Sequence, residues 1–112
     1  MKKLSTILFI TLLGNISYGQ LSGDIVKDNR KVTSNQGYII EGNVNGKIVF
    51  DISVNIKGEV TSAKALDGES TIKSTPAKIK TRNYVSEFTF SPGTWYPEHH
   101  QGRIVITMVR QK

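Results

Sequence analysis

His99 and His100 stand side by side in the stretch TWYPEHHQG at residues 94–102, and the chain has no other histidine. A histidine pair can ligate a metal or serve a nucleophile, and either task needs partners at a suitable spacing. Adjacent side chains on an extended segment leave on opposite faces, so the two do not form a two-ligand clip by themselves. Glu98 and Asp67 could join them only through folding, and a chain without cysteine has few other ligands. No serine sits in a Gly-x-Ser-x-Gly elbow, and no glycine-rich phosphate loop follows a strand and opens a helix. The sequence therefore predicts no enzyme, no catalytic residue, no metal and no cofactor. The same loop does offer contact area. Trp95 and Tyr96, stiffened by Pro92 and Pro97, suit recognition of a partner's side chains, although both rings could instead cover one end of a thin core.

The element that must carry this loop is a small sheet. Between residues 46 and 58 the run GKIVFDISVNIKG places Ile48, Phe50, Ile52, Val54 and Ile56 on one parity, with Lys47, Asp51, Ser53, Asn55 and Lys57 on the other. Only Val49 breaks the alternation, so the segment reads as a strand with one wet face. Gly58 supplies turn chemistry, and Val60 opens a second, less regular extended run to Leu66. Thr75-Pro76 reads as an N-cap with proline at the first helical position. Ala77, Thr81, Tyr84, Val85 and Phe88 then follow at helical spacing. Propensity is poor there, so packing against the sheet must hold the helix. Residues 103–110, RIVITMVR, form a last strand that is apolar on both parities, as expected of a strand covered on both faces or of an edge that awaits a cover. Tyr38 to Ile40 is read as a short strand, with an ordered loop as the alternative.

At 112 residues the chain holds one domain. Residues 1–19 have the zones of a secretory signal: Lys2 and Lys3, an apolar run from Leu4 to Leu13, and small residues at Ser17 and Gly19 before a cut near Gly19. The apolar run is roughly half of the about 20 residues that a membrane span needs. The expected product is periplasmic or secreted, meeting the membrane only indirectly. Residues 20–36 read as a flexible polar lead-in, and residues 37–112 as the folded domain. The chain has a formal charge of +6; loss of Lys2 and Lys3 with the leader leaves thirteen basic against nine acidic residues, or +4. An exported basic domain meets head groups, acidic peptides and wall polymers rather than nucleic acid.

The ordered features resemble a known family. An opening glycine, an alternating strand that ends in a residue-Gly-x-Val turn (Asn55 to Val60), a helix closing on Phe88-Thr89-Phe90-Ser91-Pro92, and Gly102 before a last strand are similar to the TonB C-terminal domain over residues 38–111. The resemblance implies an α+β fold in which a hairpin plus a C-terminal strand make a three-stranded antiparallel sheet with one helix on one face. It also implies a periplasmic module, linked to energy-dependent transport, that pairs a strand edge with an extended peptide from an outer-membrane receptor. Full transducers carry a transmembrane helix and a proline-rich arm, whereas the three prolines here all come late, so the expected form is stand-alone and exported. On this reading Arg103, Ile104, Val105, Ile106, Thr107, Met108 and Val109 provide main-chain pairing, and Trp95 and Tyr96 add contact area. The same edge could also pair two copies of the chain. A basic structural protein held to anionic envelope polymers is the alternative.

Overall fold

A computed structural model describes residues 20–110; the expected leader at residues 1–19 lies outside them. Chain order gives strand β1 (Leu21–Ser22), helix α1 (Asp24–Lys27), strands β2 (Ile39–Gly42), β3 (Gly46–Val54) and β4 (Val60–Ala65), a 3-10 turn (Asp67–Glu69), helix α2 (Thr75–Ser86) and strand β5 (His100–Arg110). The domain is α+β, as expected, but its sheet has five strands rather than three. β3 lies between β4 and β5, antiparallel to both. The far side of β5 pairs with β1 antiparallel and with β2 parallel.

The alternation in β3 sets the layers. Ile48, Phe50, Ile52 and Val54 face α2 and are fully buried with Ile104, Ile106 and Met108 of β5. Each such side chain contributes about 1.5–3 kcal/mol by leaving water. Val49, the break in the pattern, is buried as well, on the opposite face. There the 3-10 turn closes over the sheet: Ser70 Oγ accepts from Val49 N–H at 2.9 Å, and Leu66 N–H donates to Val49 O at 2.8 Å.

Helix α2 begins one residue earlier than its proline suggested. Ser74, not Thr75, is the N-cap, its hydroxyl accepting from Ala77 N–H at 3.4 Å. Thr81, Val85 and Phe88 are buried, and Tyr84 meets Phe88 edge-on at 5.8 Å. The Tyr84 hydroxyl donates to Gly37 O at 2.8 Å, which ties the helix to the approach of β2.

Residues 20–36, expected as a flexible lead-in, are part of the fold. Leu21 pairs with Ile104, Val32 bridges Phe90, and Ile25 of α1 is fully buried. Ile25 reaches the sheet because Gly102 has no side chain: a Cβ there would lie 2.6 Å from Ile25 Cδ1. A polar, aperiodic segment can still be ordered when one apolar residue and its backbone groups find distant partners.

Candidate binding edge

The strand expected to receive a partner has none of its edge to spare. Val105 N–H donates to Gln20 O at 2.9 Å and Thr107 N–H to Tyr38 O at 2.8 Å, so the chain's own β1 and β2 occupy the far side of β5. The expectation of main-chain pairing along residues 103–109 is corrected accordingly. Ile104, Ile106 and Met108 turn into the core; Val105 is half-buried, and Thr107 and Val109 are exposed side chains on a paired backbone. Arg103 is held by Asp51 (3.2 Å) and Glu69 (3.0 Å). The physical reason lies in the backbone: the carbonyls of Gln20 and Tyr38 satisfy the outward amides of β5, while its second apolar face, with Val105 and Val109, stays partly exposed. Replacing Val105 by proline should therefore lower the unfolding free energy by about 3 kcal/mol or more, since proline removes a ladder hydrogen bond within an interior strand. An unchanged urea midpoint for that variant would mean that the Val105 amide is free after all.

The aromatic loop is divided between two roles. Trp95 is 77% exposed and lies across Gly93. Tyr96 stacks on His100 with ring centroids 5.3 Å apart and covers the Arg30 guanidinium at 4.0 Å from its own centroid. Beneath it is a buried polar cluster. Arg30 is 3% exposed and donates through Nε to Ser91 O (2.8 Å) and through a terminal nitrogen to Asn55 O (2.7 Å), with its other terminal nitrogen 3.0 Å from His100 Nδ1. A guanidinium only donates, so His100 Nδ1 accepts and Nε2–H donates to Asp28 Oδ2 at 2.7 Å. Burial draws the Arg30 pKa below its usual value, against a smaller opposing effect of Tyr96. His100 is thus spoken for by Arg30 and Asp28, while His99 is exposed. Among the described residues no three His, Cys, Asp or Glu side chains are grouped as metal ligands, and no helix is long and apolar enough to cross a membrane.

The open edge is β4. Leu66 N–H bonds Val49 O, and the register pairs Lys64 with Asp51 and Ser62 with Ser53. In an antiparallel ladder this parity turns the backbone groups of Ser62 and Lys64 toward β3 and those of Ala63 and Ala65 away from it. Among the described residues nothing hydrogen-bonds those outward groups. At the turn end the edge is covered, because Glu59 bridges Thr89 and Phe90 N–H donates to Gly58 O at 2.8 Å. Beside the free stretch runs a groove of about 290 Å³ between β4 and α2, lined by Phe50, Ala63, Lys64, Ala65, Thr75, Lys78, Ile79 and Arg82. Ile79 is 48% exposed there. Lys78 forms an ion pair with Asp67 at 3.0 Å, and that contact, with Lys73 adding to it, holds the Asp67 carboxyl below the usual carboxylate range.

No family model, no curated protein and no solved structure matches the chain. The sequence marks residues 60–66 as an extended run but not as a binding edge, because a short run of mixed parity with two alanines carries little signal. The one available hint was α2, whose Lys78, Lys80 and Arg82 fall within a helix that has no carboxylate.

Proposed function

We propose that this protein is an exported, non-catalytic binding module of the cell envelope that takes up an extended peptide or protein segment by adding it as a strand alongside β4. The reading rests on one observation: the outward N–H and C=O groups of Ala63 and Ala65 have no partner among the described residues and border an apolar groove. An added strand satisfies the backbone groups while the groove selects side chains. The hairpin, helix and third strand follow one another in the order that a TonB C-terminal domain would have, and the same proposal extends to a receptor segment as partner and a role linked to transport. The pairing strand differs from the one the family resemblance implied.

Proline at position 63 separates recognition from folding. The Ala63 N–H is not part of the β3–β4 ladder, so Ala63→Pro should cost only about 1 kcal/mol of stability. Peptides selected from a random display library against the protein should lose about tenfold or more in affinity for this variant, as loss of paired main-chain hydrogen bonds demands. They should also shift the amide resonances of residues 60–65. Selected peptides that hold folded Ala63→Pro as tightly as the parent would overturn the proposal.

A further inference from the structure

We infer that the segment β4 accepts is acidic, an extended stretch in which apolar side chains alternate with aspartate or glutamate. This rests on the strand-addition reading above and adds the chemistry of the occupant. Phe50, Ala63, Ala65 and Ile79 give the groove an apolar floor, and the two alanines leave room for larger side chains from the incoming strand. No carboxylate lines the groove, whereas Lys64, Lys78 and Arg82 do. Lys78 is engaged by Asp67, and Lys80, further along α2, donates to Glu41 O at 2.9 Å. Lys64 and Arg82 have no ion pair and no side-chain hydrogen bond among the described residues. Lys64 stands on the face that the outward residues of an added strand share, and the Arg82 guanidinium stands on α2 at the groove itself; the first suits a carboxylate in the alternating row, the second one at the end of the apolar row. Alternation follows from the pleat: residues of an added strand on the α2 side enter the groove, and the residues between them lie on the face of Lys64.

The same charges argue against a second copy of this chain as occupant. Two β4 edges paired about a two-fold axis would bring both sets of cations together, and like charges facing one another across strands are destabilising. Lysine on an edge strand commonly guards against self-pairing; here it also leaves the edge open to a strand of opposite charge.

Three capped octapeptides test the inference by amide-shift titration of the protein: valine alternating with glutamate, with serine, and with lysine. The glutamate peptide should bind about threefold tighter than the serine peptide, with the lysine peptide weakest, as one or two exposed charge pairs permit. That preference should shrink toward unity as salt rises and reverse between glutamate and lysine in the double variant Lys64→Glu, Arg82→Glu. Equal binding of the glutamate and serine peptides, with shifts along residues 60–65, would overturn the acidic class and leave strand addition standing. No β4 shift with any peptide would overturn both. A concentration-dependent dimer with protected β4 amides would name a second copy as the occupant and overturn the inference.

Discussion

Replacing Arg30 by alanine should lower the unfolding free energy by about 3–5 kcal/mol, a large share of what a domain this small possesses. The loss comes from four directions at once. Ser91 O, Asn55 O and His100 Nδ1 would each forfeit a donor, and the Tyr96 ring would lose the cation beneath it. A buried acceptor left without a partner retains its full desolvation penalty, whereas the lost hydrogen bond itself is worth about 1 kcal/mol. Arg30→Lys should recover less than half of the difference, because an ammonium is a compact point donor and the three acceptors match the spread of a planar guanidinium. Urea unfolding of the three proteins measures both differences. A shift for Arg30→Ala below about 1 kcal/mol would mean that the cluster adds nothing to the fold.

Gly58→Ala is expected to cost about 3 kcal/mol, from backbone strain and a broken contact together. Gly58 has a φ of +89°, and a Cβ at this position would lie 2.0 Å from Phe90 O. The neighbour is main chain, so no side chain can swing aside. Either the hairpin turn gives up its left-handed residue or the segment at Phe90 moves away, and with it go the Phe90 N–H to Gly58 O bond and the Glu59–Thr89 bridge. Gly68 provides the comparison: nothing lies within 4 Å of a Cβ there, and Gly68→Ala should stay within about 0.5 kcal/mol of the parent. Thermal midpoints would separate the two variants by roughly 10–20 °C at the usual conversion for a domain of this size.

How much of this could be read from the residues depended on the range of the interaction. β3 was legible because its residues alternate in one stretch with Val49 the single break, and α2 because its buried positions recur with a helical period. The Gly58 turn was legible for a local reason too, a backbone angle that one residue type adopts easily. What joins distant parts of the chain left no periodic trace. β1 is two residues long and pairs across more than eighty positions with Ile104 and Arg103; no pattern of two residues can announce that. The lead-in looked flexible because it is polar and aperiodic, yet Arg30 within it is the hub of the buried cluster. For the binding edge, the apolar content of β5 fitted either a covered strand or an exposed one, and composition cannot choose between them. Only the Gln20 and Tyr38 carbonyls, which reach Val105 and Thr107, decide it.

The position of β5 also fixes when the molecule can acquire its shape. β1, β2 and β3 all pair with this strand, and every one of them precedes it in the chain. Until it emerges from the ribosome, the earlier segments have only the β3–β4 hairpin as local sheet, and an isolated hairpin is marginal in water. Closing the loops between such distant partners is slow as well. The sheet therefore closes only once β5 is available to it, because three of its other four strands hydrogen-bond directly to that one strand.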